Sequence, residues 1–163
     1  MIVSNTSPLR YLIAVGEADL IRKVFGEVLI PPAVFAELTH PSGSEDVRQW
    51  IEQCPAWLNM RALDSAPSHD LVTTLDPGER EAIQLALEIQ PDFVLIDERL
   101  GRRAATARGL PVIGALGLLG EAYGLHHIAE PLQVLDEMRR IGFRVSPPLY
   151  RKFEQKLQSM GPP

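Results

Sequence analysis

Polar side chains follow two apolar segments that have the character of buried strands. Asn5 comes after the first short apolar run, and Asp97 directly follows the apolar residues 93–96. Ligands of open parallel α/β sheets bind beyond the carboxyl ends of the strands, so both side chains are candidates for chemistry. Glu98 places a second carboxylate beside Asp97. For Asp97 the alternative is a structural role as the N-cap of a helix that begins at Arg99.

Glu79 closes the segment Asp76-Pro77-Gly78-Glu79, which has the spacing of a helix capping box. In that interpretation Asp76 is the N-cap and Glu79 reaches back to its backbone. The apolar positions three, four and seven residues beyond Glu79 place this side chain on the face turned toward the core. A buried carboxylate needs a partner, a proton or a cation. Glu81 shares its face with polar residues, and we expect it in solvent.

Glu37 is flanked by apolar residues and lies one turn after Val34. By itself this position is typical of a surface residue at the margin of an apolar stripe. A parallel sheet would nevertheless bring polar side chains from separate elements to one end: Asn5, Glu37, Glu79, Asp97 and Glu98. Clustered oxygen ligands suit Mg²⁺ or Mn²⁺, which can activate a water for attack on a phosphodiester. We expect the crowding to raise at least one carboxyl pKa.

The elements that must position these side chains alternate between strands and helices. Short apolar runs predict strands at 2–3, 28–30, 93–96 and 111–113. Capping residues and helical spacing predict one helix starting at Pro8 with Ser7 as its N-cap, helices after Pro32 and Asp76, and others over 44–53, 68–75, 99–108, 115–123, 132–141 and 147–160. This alternation predicts an α/β fold with a parallel sheet.

The composition is that of one ordinary domain. The chain has 163 residues, is 45% apolar and carries a net charge of −5, which argues against a surface that grips nucleic acid by bulk charge. A single cysteine, Cys54, and four scattered histidines exclude a disulfide scaffold and a zinc ribbon. No signal peptide or membrane-spanning segment is recognisable. We expect one domain over residues 1–163, located in the cytoplasm and without membrane association.

Five sequence blocks carry a family resemblance along nearly the whole chain. In order they are Ser4-Asn5-Thr6-Ser7-Pro8-Leu9, Pro31-Pro32-Ala33-Val34-Phe35-Ala36-Glu37-Leu38, Asp76-Pro77-Gly78-Glu79-Arg80-Glu81-Ala82-Ile83, Leu95-Ile96-Asp97-Glu98-Arg99-Leu100-Gly101-Arg102 and Gly109-Leu110-Pro111-Val112-Ile113-Gly114-Ala115-Leu116-Gly117. Their order and spacing resemble the PIN domain superfamily, and within it the PIN-like toxins similar to virulence-associated protein C.

The resemblance implies a three-layer α/β/α domain with a central, mostly parallel sheet. It also implies an Mg²⁺- or Mn²⁺-dependent endoribonuclease, usually the toxin of a toxin–antitoxin pair, that cleaves single-stranded RNA. The implied partners are the RNA substrate and a cognate antitoxin. We also expect a homodimer, because PIN-like toxins commonly pair and apolar helices near either end leave surface to cover.

The resemblance also assigns residues to the site. Glu37, Glu79 and Asp97 are the implied catalytic residues, and the implied metal ligands are these three together with Asn5 and Glu98. Thr6 would help to position the ligand at the end of the first strand, and Arg102 would hold a phosphate. The arginines of that segment, Arg99, Arg102 and Arg103, suit a solvated helix face as well as RNA contact.

Asn5 departs from the family pattern, because PIN nucleases generally present an aspartate at the end of the first strand. An amide oxygen can ligate Mg²⁺ but carries no formal charge, so the metal affinity should fall. A PIN-fold binding protein with weak or no catalysis is therefore an alternative function. A third candidate, a generic α/β phosphohydrolase, is disfavoured because the chain has no Gly-rich phosphate loop.

Overall fold

The computed structural model describes residues 1–161; Pro162 and Pro163, the end of the domain predicted over 1–163, lie outside the described residues. Five strands occur in this range: β1 (Ile2–Ser4), β2 (Val28–Ile30), β3 (Leu58–Met60), β4 (Phe93–Leu95) and β5 (Val112–Ile113). Ten helices occur in the same range: α1 (Thr6–Ala14), α2 (Asp19–Phe25), α3 (Pro32–Leu38), α4 (Glu45–Glu52), α5 (His69–Thr74), α6 (Pro77–Ile89), α7 (Arg99–Ala107), α8 (Ala115–Gly124), α9 (Pro131–Arg140) and α10 (Pro147–Met160).

The five strands form one sheet in the order β3-β2-β1-β4-β5, and every pair of neighbours within the described chain is parallel. β1 lies in the centre, where Val3 is opposite Leu29 of β2 and Val94 of β4. Parallel pairing gathers the carboxyl ends of the strands on one edge of the sheet. The α/β class and the parallel sheet predicted from the sequence are confirmed.

Alternate residues of the strands pack into two separate cores. Ile2, Val28 and Leu95 belong to the larger core, which also contains residues of α1 to α4 and α8 to α10. Val3 and Val94 belong to the smaller core with residues of α5, α6 and α7. This period-two alternation buries both faces of the sheet beneath helices. The predicted three-layer α/β/α architecture is therefore confirmed.

Proline begins several of the helices. Pro32, Pro77, Pro131 and Pro147 occupy the first turns of α3, α6, α9 and α10. The missing N–H of proline costs nothing there, and its fixed φ suits a helix start. The bounds of α10 agree with the helix predicted over 147–160.

The structure differs from the sequence prediction in three local features. α1 begins at Thr6 with Asn5 in the N-cap position, so the prediction that Ser7 caps a helix starting at Pro8 is wrong. α2 and β3 were not predicted. β3 has one buried residue, Leu58, and so lacks the apolar run by which a strand is recognised. Among the helices of residues 1–161, none has the length and hydrophobicity needed to cross a membrane.

Candidate active site

Asn5 and Glu98 meet at the carboxyl end of the two central strands. Ser4 of β1 is opposite Leu95 of β4, so the residues that follow these strands lie side by side. The Asn5 backbone N–H donates to the Leu95 carbonyl at 2.9 Å. Its side-chain Nδ2 donates to Glu98 Oε2 at 3.2 Å. Asn5 is 3% exposed and its Oδ1 has no hydrogen-bond partner in the described chain, so an unused acceptor is buried at this edge.

Glu37 is held by two other helices. α3 packs against α6, and the Gly78 N–H at the start of α6 donates to Glu37 Oε1 at 2.8 Å. The hydroxyl of Thr6, the first residue of α1, donates to Glu37 Oε2. The resemblance implies that Thr6 positions the ligand at the end of the first strand; in the structure its hydroxyl holds Glu37. Glu37 is half-buried.

Glu79 is both a capping residue and a buried carboxylate. Its Oε2 accepts a hydrogen bond from the Asp76 N–H at 3.3 Å, which confirms the predicted reach back to the N-cap. Its Oε1 is buried and has no partner among residues 1–161, and the residue is 7% exposed. Burial raises the pKa of the Glu79 carboxyl against the opposing effect of the Asp76 N–H, and the charges of Glu98, Asp76 and Glu37 raise it further.

Glu81 is not a purely solvated residue. It is half-buried, and its Oε2 accepts a hydrogen bond from the Ala33 N–H at 2.9 Å. Ala33 lies in the first turn of α3, where backbone N–H groups lack helical partners. The expectation that Glu81 lies in solvent is therefore wrong, because Glu81 fixes the start of the helix that carries Glu37.

Asp97 anchors a different helix from the one suggested by its position in the sequence. The N-cap of α7 is Glu98, so the interpretation of Asp97 as the cap of the helix beginning at Arg99 is wrong. Asp97 Oδ1 instead accepts from the Ala115 N–H at the start of α8 at 2.8 Å, and Oδ2 is buried without a partner in the described chain. Burial raises the pKa of Asp97 to about 6; the Ala115 N–H opposes this, Glu98 adds to it and Arg102 lowers it.

Two glycines make room for the carboxylates. A Cβ on Gly78 would lie 2.6 Å from Glu37 Oε2, and a Cβ on Gly101 would lie 2.6 Å from Glu79 Oε1. Both separations are shorter than real Cβ contacts, and Gly101 also has the Ile96 side chain at 3.0 Å. A side chain at either position would therefore force the neighbouring carboxylate to shift from its place in the acidic site.

The Arg102 side chain forms a hydrogen bond with the backbone just after β4. Its Nη1 donates to the Ile96 carbonyl at 2.8 Å, and the side chain is half-buried. A Cβ on Gly114 would lie 2.8 Å from both Arg102 Nη1 and Asp97 Oδ1, so the guanidinium and the carboxylate approach each other across this glycine. This arrangement stabilises the end of β4 and the charge of Asp97. Phosphate binding by Arg102 stays a prediction.

A cavity of about 180 Å³ lies between most of these side chains, including Asn5, Glu37, Glu79 and Glu98. Asp97 lines a neighbouring cavity of about 330 Å³, and Glu98 lines both cavities. The structure thus brings four of the five predicted ligands around one space and places Asp97 beside it. Arg10 also lines both cavities and was missed in the sequence, although it lies one turn after Thr6 on α1.

The donor atoms suit a hard divalent cation. Four buried side-chain atoms in residues 1–161 lack a hydrogen-bond partner, and three of them belong to this site: Asn5 Oδ1, Glu79 Oε1 and Asp97 Oδ2. All three are oxygens, the ligand type that Mg²⁺ and Mn²⁺ prefer. Within the same residues no three His, Cys, Asp or Glu side chains form a group that could hold a metal ion. The candidate ligands therefore surround the cavity rather than converge on one point.

Comparison with known proteins identifies one family. A family model described as a PIN domain matches residues 1–159 of the chain. No curated protein matched. The matched range includes all the side chains that line the cavity of about 180 Å³, which we call the acidic cavity.

The raised pKa of Asp97 predicts how stability depends on pH in the absence of divalent ions. Because the folded pKa of about 6 is above the ordinary value of 3.8, the folded chain binds the proton more tightly than the unfolded chain. The free energy of unfolding should therefore fall as the pH rises from about 4 to about 6, by roughly 1–3 kcal/mol. In Asp97→Asn, where the amide oxygen still accepts from Ala115, this fall should shrink. Urea unfolding at each pH measures the free energy of unfolding. Equal slopes of this free energy against pH for the two proteins would contradict the assignment of the raised pKa to Asp97.

Gly101→Ala tests the close packing around Glu79. Alanine favours a helix over glycine by up to ~1 kcal/mol, but the clash with Glu79 Oε1 and Ile96 should outweigh this gain and destabilise the protein by about 1–3 kcal/mol. The matched control is Gly120→Ala in α8, whose Cβ would meet its nearest atoms at 3.5 and 3.6 Å, an ordinary contact. The control should be neutral or stabilised in thermal unfolding. Equal melting temperatures for the two variants would show that Gly101 is not constrained.

Proposed function

The chain belongs to the PIN domain family, and we propose that it is an Mg²⁺- or Mn²⁺-dependent endoribonuclease acting as the toxin of a toxin–antitoxin pair. PIN domains are generally nucleases and generally use divalent metals. The observation that carries the proposal is the set of buried, unpartnered oxygens of Asn5, Glu79 and Asp97 at the carboxyl edge of the sheet. Leaving such atoms without a partner is costly, and a cation bound in the cavity would remove the cost for Asn5 and Glu79, which line it.

Each side chain has a defined part in this proposal. Asn5, Glu37, Glu79 and Glu98 line the cavity and would supply oxygen ligands to the cation, with Asp97 beside it, although in the described chain these side chains surround the space without converging on one point. A divalent ion supplies positive charge for the phosphate oxygens and lowers the pKa of water. Thr6 and the Gly78 N–H keep Glu37 in place.

Asp97 is a candidate for proton transfer. Without a cation its pKa is raised to about 6; a divalent ion beside it would lower this pKa, so the carboxylate would be ionised at neutral pH and able to accept a proton from an attacking water. Its Oδ1 is fixed by the Ala115 N–H, so the unpartnered Oδ2 is the atom available to take the proton.

The biological setting rests on the resemblance to PIN-like toxins. We propose single-stranded RNA as the substrate, a cognate antitoxin as the protein partner, a homodimer as the assembly and the cytoplasm as the location. The signature Ser4-Asn5-Thr6-Ser7-Pro8-Leu9 supports the toxin branch. In the structure this segment forms the end of β1 and the start of α1, beside the acidic cavity.

A second candidate is a PIN-fold binding protein without catalysis. The Asn5 amide donates to Glu98 at 3.2 Å, so the side chain that would be a charged metal ligand in an active nuclease partners a carboxylate directly. This hydrogen bond stabilises the site in the absence of a cation. The two candidates therefore differ in whether divalent ions bind and RNA is cleaved.

Glu79→Gln tests the catalytic proposal. The variant keeps an oxygen that accepts from the Asp76 N–H, but it removes a carboxylate whose negative charge is disfavoured by burial. Its melting temperature without divalent ions should therefore rise. The increase in melting temperature caused by Mn²⁺ in the wild type should be lost, and cleavage of single-stranded RNA should fall by about 10²-fold or more. Thermal unfolding with and without Mn²⁺, together with cleavage assays, measures both effects.

Glu88→Gln is the matched control for Glu79→Gln, because it makes the same change in the same helix. Glu88 accepts hydrogen bonds from the Asp64 and Ser65 N–H groups and from Gln84, and these contacts help to hold its pKa below the ordinary value against the effect of burial. Its variant should lose some stability and keep the wild-type cleavage rate. A Glu79→Gln protein that cleaves RNA as fast as Glu88→Gln would refute the catalytic assignment.

Asn5→Asp distinguishes the two candidate functions. Without divalent ions an aspartate loses the hydrogen bond to Glu98 and places two carboxylates together, so the protein should be less stable by about 1–3 kcal/mol. Mn²⁺ should restore this stability, with a larger increase in melting temperature than in the wild type, and cleavage should rise. A wild type that neither responds to Mn²⁺ nor cleaves, beside a variant that does both, identifies the non-catalytic candidate.

Asn59→Asp is the control for this experiment. Asn59 donates to Glu27 Oε1 at 3.3 Å in an exposed position, so the substitution creates the same pair of carboxylates away from the acidic cavity. Solvent should screen their repulsion, and the loss of stability should stay below ~1 kcal/mol with or without Mn²⁺. Equal responses of the two variants to Mn²⁺ would contradict specific binding at Asn5.

A further inference from the structure

Two cavities lined by arginines continue from the acidic cavity along one side of the molecule. The first, about 330 Å³, is lined by Arg10 and Arg144 together with Asp97 and Glu98. The second, about 740 Å³, shares Arg144 with the first and adds Arg140 and the ion pair of Arg139 with Asp136. We call this path, with Arg10, Arg144 and Arg140 along it, the arginine groove. It starts at the acidic cavity, because Arg10 and Glu98 line that cavity as well.

The three cations of the arginine groove are not used by the fold. Their residues are exposed, and within residues 1–161 none of the three guanidinium groups forms an ion pair or a hydrogen bond. Arg10 lies over the Tyr11 ring at 4.8 Å, a contact that leaves its N–H groups available. The neighbouring Arg139 differs, because it pairs with Asp136 at 3.1 Å. The groove therefore presents three guanidinium groups whose positive charge and N–H donors are available to a ligand.

Arg10 and Arg144 line the same cavity as Asp97 and Glu98, yet no ion pair joins the two sets in the described chain. Both kinds of charge therefore remain available to ligands: the carboxylates to a cation and the guanidinium groups to an anion. In a chain with a net charge of −5, three uncompensated arginines beside the acidic site are a local concentration of positive charge. A polyanion that reaches the cation site is the ligand that fits both sets.

We propose that the phosphates of single-stranded RNA lie along the arginine groove, from Arg10 at the acidic cavity through Arg144 to Arg140. This inference rests on the proposed function and adds the path by which the strand leaves the site. Guanidinium groups bind phosphate oxygens with two parallel hydrogen bonds, so these contacts position the backbone without reading bases. Two aromatic residues line the first cavity, Tyr11 and Phe143. Phe143 is 8% exposed, and Tyr11 is half-buried with Arg10 over its ring.

The test measures binding of a short fluorescein-labelled single-stranded RNA by fluorescence anisotropy in EDTA, over a range of KCl concentrations. EDTA prevents metal-dependent cleavage, so binding is measured apart from catalysis. Arg10→Ala, Arg140→Ala and Arg144→Ala should each weaken binding roughly tenfold. Each should also reduce the slope of log K against log salt by about 0.7, the value for one lost phosphate contact on a single strand. Arg144→Lys should recover the slope but only part of the affinity.

Arg22→Ala is the control for the loss of one positive charge, because Arg22 lies at the opposite edge of the sheet, where it pairs with Asp19 at 2.8 Å. Arg22 lies in α2, whose last residue, Phe25, accepts a hydrogen bond from the chain's N-terminal amine beside the start of β1. Its variant should bind RNA with the wild-type affinity and salt slope. Melting temperatures of all variants, measured alongside, separate lost binding from lost folding.

The outcomes separate this inference from the proposed function. Groove variants that bind RNA like Arg22→Ala overturn the inference, even if the wild type cleaves RNA in Mn²⁺, and an acidic protein segment would then be the better occupant. A wild type that binds with the predicted salt slope but does not cleave supports the arginine groove and overturns the nuclease proposal. A wild type that shows no binding overturns the inference directly.

Discussion

Burial of carboxylates at the carboxyl edge of the sheet is the constraint on which the site depends, since a buried negative charge must be compensated. Backbone N–H groups at the starts of helices supply part of the compensation, in three donor–acceptor pairs: Gly78 to Glu37, Asp76 to Glu79 and Ala115 to Asp97. The first turn of a helix has N–H groups without helical partners and the positive end of the helix dipole. The placement of α6 and α8 beside the strands therefore fixes the positions of the acids.

This compensation is incomplete, and the oxygens that remain without a partner are the ones that can bind a proton or a cation. Glu79 and Asp97 each bind a backbone N–H through one oxygen and leave the other buried without a partner in residues 1–161. Their pKa values stay raised because burial has a larger effect than these hydrogen bonds. Packing prevents the side chains from relaxing away, since Glu79 lies directly against Gly101. The fold thus keeps acceptor oxygens in a place where a proton or a cation is needed.

The sequence predicts the alternation of strands and helices and the edge of the sheet well, because both follow from local patterns, whereas the three layers were implied by the family resemblance. Apolar runs ending in Asn5 and Asp97 locate the central strands, and the spacing after Glu79 correctly places that carboxylate on the buried face. The partners of these side chains are not local. Asp97 contacts the start of α8, 18 residues away, and Glu81 contacts α3, 48 residues away. Such contacts depend on how helices pack across the sheet, which no short-range pattern encodes.

An asparagine at position 5 fits an acidic site, because its amide supplies a hydrogen bond to one of the carboxylates. Glu37, Glu79 and Asp97 each have a backbone N–H, whereas in the described chain the hydrogen-bond donor to Glu98 is the side-chain amide of Asn5. The Asn5 amide therefore partly compensates the negative charge of Glu98, as the backbone N–H groups at the helix starts do for the other three carboxylates. An aspartate at this position would remove the donor and add a charge, so the site would depend on a cation for its stability. The amide lowers that dependence while its Oδ1 remains an acceptor for the same ion, so the exchange of aspartate for asparagine changes the metal affinity and the stability of the cation-free site together.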